Sequence, residues 1–320
     1  MQSRTVMTVA SALLLCHCVA REAPAQENDM RLETPTGTLH GTLLLPAGTK
    51  VPVPVALIIA GSGPTDRDGN SPLLPGRNNS LRLVAEALAA SGVASLRTDK
   101  RGVGASAGAM TTESSLLFTT YVEDAAAWAA QLAADPRFSR VIIVGHSEGS
   151  LLGIMAAQRG KVAGVVSLAG AGRPIAEVLD EQLSRNLGPG ALLEESRRII
   201  AALSSGKPVG AVPQELQVLF RPSVQPYLRS WLPIDPAVEI AKLDVPVLVV
   251  QGTTDIQSAA TDAERLAKHA RRGTLAMVDG MNHVLKEVRD PAKQMASYGD
   301  PSLALHPDLV RALDAFVRQP

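Results

Sequence analysis

The sequence predicts an α/β fold: a mainly parallel central sheet, helices on both of its faces, and a helical insertion late in the chain. Three observations carry that expectation. Continuous apolar runs such as Val53 to Ala60, Val141 to Val144 and Val245 to Val250 read as strands buried on both faces. Segments of helical pattern separate these runs, which implies right-handed crossovers between parallel strands. A chain of 320 residues, 46% of them hydrophobic, is long enough for one large domain of this kind or two small ones.

The elements follow in order. Residues 31–45 alternate around Pro35-Thr36-Gly37 and read as an antiparallel hairpin at the sheet edge. After the run Val53 to Ala60, Asn79 to Ser91 reads as a helix capped by Asn79 or Ser80. Val93 to Thr98 is the next strand, Tyr121 to Ala134 an alanine-rich helix, and Val141 to Val144 a strand followed by the helix-forming run Leu151 to Gln158. Val162 to Leu168, Val245 to Val250 and Leu275 to Val278 complete the strands. Between Gly172 and Leu243 the alternation stops. That interval is polar, helical in pattern and broken at Gly188-Pro189-Gly190 and Pro208. A structureless loop of such length does not suit a compact domain, so residues 173–240 are expected to be a mobile helical lid, with Leu192, Leu193, Leu219, Phe220 and Trp231 available to line a pocket.

The N-terminus reads as an export signal over residues 1–25, leaving 26–320 as the folded domain. Arg4 supplies positive charge, Met7 to Ala20 is mostly apolar, and Ala23-Pro24-Ala25 offers a cleavage site before Gln26. The apolar run is too short to span a membrane. Both cysteines, Cys16 and Cys18, fall within it, so the mature protein is expected to have neither disulfide nor thiol nucleophile and to reside in the periplasm or outside the cell. A net charge of +0 provides no basic field for nucleic acid or anionic lipid, and aromatics at 3% are too few for base- or sugar-stacking platforms.

The most specific chemical signal is Val141-Ile142-Ile143-Val144-Gly145-His146-Ser147-Glu148-Gly149, in which a β-branched run enters Gly-x-Ser-x-Gly and a helix follows. In that context the pentapeptide reads as a nucleophile elbow, a turn too tight for side chains at its glycines that lifts Ser147 above the sheet. A serine hydroxyl needs a base within hydrogen-bond reach, and the base needs a carboxylate to fix its tautomer. Among the histidines, His17 lies in the export signal, His40 in the hairpin, His269 in a basic helix end and His306 beside a proline at a helix start. His146 adjoins the nucleophile and is not expected to reach back around the elbow. His283 follows the last strand and the turn Asp279-Gly280, and is the candidate base. Asp255 stands at the C-terminal end of the strand through Val250 and is the candidate acid; Asp262, one turn into the next helix, is expected to be an ordinary exposed residue.

Two backbone N–H groups are needed to stabilise a developing oxyanion. One is expected from Glu148, directly after the nucleophile. The other is expected from Ser62 in the loop after Val53–Ala60, with Gly63 in reserve and Pro64 excluded for want of an N–H. Asp66, Arg67 and Asp68 are expected to brace that loop with ion pairs rather than to contact substrate. Asp99-Lys100-Arg101-Gly102-Val103-Gly104-Ala105-Ser106 lacks the Gly-Lys-Ser/Thr element of a phosphate loop, and no clustered Cys/His metal pattern occurs.

With these motifs in view, the chain resembles the α/β-hydrolase superfamily from about residue 30 onward. Asp99 to Ser106 looks like the Asp-x-Arg-Gly-x-Gly-x-Ser turn of many of its members. Ala60 to Asn70 and Gly280 to Lys286 look like bacterial dienelactone-hydrolase-like esterases. The resemblance implies the chain order Ser, acid, His, a lid placed after the strand that follows the elbow helix, and cleavage of small carboxylic esters through an acyl-enzyme without any cofactor. Thioesters, lactones and peptides remain open as substrates. A non-catalytic binding protein on the same scaffold would be expected to lose Ser147, Asp255 or His283, and all three are present.

Overall fold

A computed structural model of the chain describes residues 25–319. The expected export signal therefore lies outside the described residues, apart from Ala25. The elements are β1 (Gln26–Thr34), β2 (Gly37–Leu45), β3 (Val53–Ile59), α1 (Ser80–Ala90), β4 (Ala94–Thr98), α2 (Phe118–Ala134), β5 (Phe138–His146), α3 (Glu148–Ala157) and β6 (Gly164–Leu168), then α4 (Ile175–Leu187), α5 (Ala191–Ser204), α6 (Gln217–Phe220), α7 (Gln225–Trp231) and α8 (Pro236–Ile240), then β7 (Val247–Gly252), α9 (Ala260–His269), β8 (Gly273–Val278), α10 (Gln294–Ser297) and α11 (Pro307–Val317).

The strands form one eight-stranded sheet in the order β1-β2-β4-β3-β5-β6-β7-β8. β2 runs antiparallel to both neighbours, and every pairing from β4 through β8 is parallel. The edge hairpin begins at Gln26, not at residue 31. The outer strand is half exposed, so its apolar alternation is weak over the first residues. β5 likewise extends the four-residue apolar run at both ends.

Successive residues of the buried strands feed opposite cores, as the two-residue period of a strand requires. Val55, Leu57 and Ile59 face α2 and α3, with Trp128 and Phe118 buried among them. Ala56, Ile58 and Ala60 face α1 and α11. The helix α3 is buried almost all round, which matches its unbroken apolar sequence.

Of the two residues expected to cap α1, Asn79 occupies the N-cap position but supplies no side-chain bond. It adopts a left-handed conformation (φ 51°), and Ser80 is already the first helical residue. The carbonyl of Asp68, on the loop after β3, accepts from Leu81 N (3.0 Å) instead. That loop thus satisfies one of the donors that a helix start leaves unpaired.

The interval between β6 and β7 contains helices α4 to α8, as its composition suggests. Its anchorage is aromatic. Trp231 stacks on Phe118 with ring centroids 5.3 Å apart, and Tyr227 sits edge-on to Tyr121 at 5.7 Å. Phe118 N also donates to Ser230 Oγ (2.8 Å). Four of the chain's few aromatic side chains therefore pin α7 to α2.

Candidate active site

The elbow joins β5 to α3. Ser147 has φ 54° and ψ −120°, a strained conformation for a residue with a side chain. The flanking glycines make room for it. A Cβ on Gly145 would fall 2.1 Å from Gly149 O, and one on Gly149 would fall 2.3 Å from Ile59 O. The Ser147 N–H is held by Leu168 O (2.9 Å), which ties the turn to β6.

Asp255 follows β7 and His283 follows β8, so both reach the same edge of the sheet as Ser147. His283 Nδ1 lies 2.8 Å from Asp255 Oδ2, with both side chains almost fully buried. A carboxylate accepts, so Nδ1 carries the proton and the lone pair of His283 sits on Nε2. The other Asp255 oxygen accepts from Gln257 N (2.7 Å) and Ser258 N (3.0 Å), and Gln251 Nε2 donates to Oδ2 (3.0 Å). Burial acts to raise the Asp255 carboxyl, but the charge and hydrogen bond of His283, with those two backbone donors, hold it below its usual range. Among the described residues Ser147 Oγ makes no hydrogen bond. The structure thus joins the candidate acid Asp255 to the candidate base His283, while Ser147 Oγ is hydrogen-bonded to neither.

The His283 loop is braced by the C-terminal segment. Asn282 Nδ2 donates to Ser297 Oγ (2.8 Å), Lys286 Nζ to Leu303 O (2.6 Å) and His306 N to Leu285 O (2.9 Å). His306 itself caps α11 through Asp308 N.

His146 has a role that its position beside Ser147 does not suggest. Its Nε2 lies 2.8 Å from the carbonyl of His283, and the two rings are 4.9 Å apart. A carbonyl only accepts, so His146 is protonated on Nε2 and supports the backbone of the neighbouring histidine. Burial, reinforced by His283, pushes its pKa down from 6.5 to about 4. The unfolded chain takes up this proton as pH falls below the ordinary value; the folded chain does so only near the depressed one. Stability associated with His146 is therefore complete above about pH 6.5 and declines as pH falls toward 4, by on the order of 3 kcal/mol when complete. We expect His146→Gln, whose amide can replace the Nε2–H donor, to lose less stability than the wild type between about pH 7 and about pH 5 in urea unfolding. Equal losses would contradict this.

The loop after β3 lies directly over the elbow: a Cβ on Gly61 would stand 3.2 Å from Ser147 Cβ. Among the described residues the N–H groups of Ser62, Gly63 and Glu148 have no protein acceptor. The Asp66–Asp68 segment braces, as its charges suggest. Arg67 pairs with Asp99 (2.7 Å) and Arg97 with Asp68, while Asp66 Oδ1 accepts from Asn70 N (2.8 Å).

Asp262 corrects the expectation of an exposed acid. Its side chain is fully buried, pairs with Arg173 (2.9 Å) and accepts from Gly172 N (3.0 Å). The start of the insertion folds back onto α9, a contact that no local pattern in α9 reveals.

A cavity of about 620 Å³ opens at Ser147. Ser62 and Glu148 line it with Ser147, and Val178, Leu179, Leu219, Phe220 and Trp231 of the insertion form much of the rest. Leu192 and Leu193 were expected there but pack within the interior instead, because α5 lies behind α4 and α7. A smaller cavity of about 240 Å³ adjoins it, lined by Lys100, Tyr121, Glu148 and Tyr227. Among the described residues no group of three or more His, Cys, Asp or Glu is arranged to hold a metal ion, and no helix is long and apolar enough to cross a membrane.

Comparison with known proteins places this geometry. Residues 78–288, more than half of the chain, match the Hydrolase_4 family, described as serine aminopeptidase, S33. The chain belongs to this family. Esterase EstD of Thermotoga maritima is 30% identical over 254 residues, which cover 77% of this chain and 58% of that protein. The chain thus matches less than two thirds of this relative's length. Among solved structures, Est1E from Butyrivibrio proteoclasticus gives a TM-score of 0.58 at 17% identity, over 90% of this chain and 96% of Est1E. Dienelactone hydrolase from Anabaena variabilis gives 0.53 at 15% identity, over 91% and 96%. At these identities the likeness is one of fold, and it bears out the α/β-hydrolase architecture read from the elbow and the strand order.

Proposed function

We propose that the protein is a serine hydrolase that cleaves carboxylic esters with apolar acyl groups. Ser147 Oγ attacks the ester carbonyl as His283 Nε2 removes its proton, and Asp255 holds the imidazole in the required tautomer and stabilises its charged form. The N–H groups of Glu148 and Ser62 receive the oxyanion. His283 then protonates the departing alcohol, and a water activated by the same nitrogen releases the acyl group from Ser147. EstD, named an esterase, supports the ester reading. Export to the periplasm or exterior belongs to the same proposal and rests on the pattern of residues 4–25 alone.

The family description raises aminopeptide hydrolysis as a second reading. The observation that favours esters is the state of the acids that line the two cavities. An aminoacyl substrate brings an ammonium group, which needs an unpaired carboxylate when taken out of water. Glu148 is paired with Lys100, and Glu113, in the adjoining cavity, with Arg221. The part of the main cavity formed by Ile175, Val178, Leu179, Leu219, Phe220 and Trp231 is aliphatic and aromatic, which suits a neutral acyl chain.

The test is a panel of p-nitrophenyl esters from acetate to laurate, with an acyl thioester and an aminoacyl p-nitroanilide. We expect the esters to be turned over with a preference for chains longer than acetate, since each buried methylene contributes about 0.8 kcal/mol. The anilide should be at least about 10²-fold slower in kcat/KM. An anilide hydrolysed faster than every ester overturns the reading.

A further inference from the structure

The buried ion pair beside the elbow is not part of the triad, and its partners suggest a role. Lys100 Nζ donates to Gly61 O (2.5 Å) and to Glu148 Oε1 (3.1 Å). The two paired side chains are 5% and 3% exposed. Gly61 immediately precedes Ser62, and Glu148 immediately follows Ser147. A single ammonium group therefore grips both segments whose N–H groups, without a protein acceptor among the described residues, are proposed to receive the oxyanion. One segment comes from β3 and the other from the elbow, and within the fold they share no strand or helix.

Lys100 is itself held from several sides. It enters from the turn after β4, where Val103 N donates to Lys100 O (2.9 Å) and Arg101 pairs with Asp124 (2.6 Å). Tyr121, whose hydroxyl donates to Arg101 O, lies with its ring centroid 5.2 Å from Lys100 Nζ. A cation held against an aromatic ring and two oxygens has little freedom to move.

We propose that Lys100 is the positioning residue of the oxyanion hole. It sets the distance between the Ser62 and Glu148 donors, and it neutralises a buried carboxylate that would otherwise oppose the negative charge forming beside it. Preorganised donors of this kind act on the transition state and not on bound substrate. The effect of Lys100 thus falls on kcat. The inference rests on the serine-hydrolase reading above.

The experiment compares wild type, Lys100→Met and the double variant Lys100→Met/Glu148→Gln on one p-nitrophenyl ester, with a trifluoromethyl ketone as a reversible mimic of the tetrahedral adduct. Thermal unfolding identifies the temperature at which each variant is fully folded. We expect Lys100→Met to lower kcat by about 10²-fold with KM within about threefold. Ketone affinity should fall in parallel with kcat/KM. The double variant removes the orphaned carboxylate and should regain about tenfold in kcat, yet stay about tenfold below wild type because Gly61 O still lacks its donor. If Lys100→Met does not fold, the double variant decides, since it leaves neither partner of this pair buried and unpaired. Wild-type kcat in either folded variant, or a loss confined to KM with ketone affinity unchanged, overturns the inference while leaving the serine-hydrolase reading in place. A wild-type protein that neither cleaves the ester nor binds the ketone overturns both.

Discussion

Replacing Ser147 by Ala is expected to lower ester turnover by about 10⁴-fold or more while the protein remains folded. The elbow holds Ser147 at φ 54°, and among the described residues its hydroxyl makes no hydrogen bond and the N–H groups of Ser62, Gly63 and Glu148 have no protein acceptor. Alanine keeps the Cβ and the backbone conformation, so the glycine clearances around the turn are undisturbed. Stability is expected to change by less than about 1 kcal/mol, because no protein hydrogen bond to Oγ is lost. Initial rates with the best ester of the panel, beside urea unfolding of both proteins, check this. Activity within tenfold of wild type would mean that another group is the nucleophile.

Asp255→Asn is expected to lower kcat by about 10⁴-fold. The argument is one of donors and acceptors. Oδ1 can keep the N–H groups of Gln257 and Ser258, so the amide nitrogen must take the place of Oδ2. There it meets two donors, Gln251 Nε2 and His283 Nδ1–H. The imidazole escapes that clash by moving its proton to Nε2, and Nε2 can then no longer accept the serine proton. Asp262→Asn is the control. It breaks the pair with Arg173 and should reduce stability, on the order of 2 kcal/mol, with kcat close to wild type. Equal and mild kinetic effects from both would place the acid elsewhere.

The sequence and the structure agree where the signal is local and strong. The run Val53 to Ala60 has no polar residue to present to water, so it had to be a strand covered on both faces, and it lies between β4 and β5. The elbow is legible because two glycines, a serine and a β-branched run follow one another directly. Asp255 and His283 follow the last two strands, and a parallel sheet delivers such residues to one edge. Contacts across the sheet are not legible. Lys100 reaches Glu148 past β3, which separates their strands, and nothing near either residue announces the other. Asp262 reads as a helix-surface acid until the chain at Gly172 and Arg173 returns to it. His146 invites attention for its closeness to Ser147, whereas its partner is a backbone carbonyl 137 positions later. The first residues of β1 escape a reading by pattern because an edge strand facing solvent has little apolar alternation to reveal it.

The most direct test of a nucleophilic serine is covalent. The protein is incubated with a fluorophosphonate, digested, and mapped by mass spectrometry. If Ser147 is the nucleophile, one adduct forms, on the peptide containing Gly145-His146-Ser147-Glu148-Gly149 and localised to Ser147. Labelling is then absent from Ser147→Ala and strongly slowed in Asp255→Asn. An unlabelled wild-type protein that nonetheless hydrolyses esters, or an adduct on any other residue, would contradict a nucleophilic Ser147.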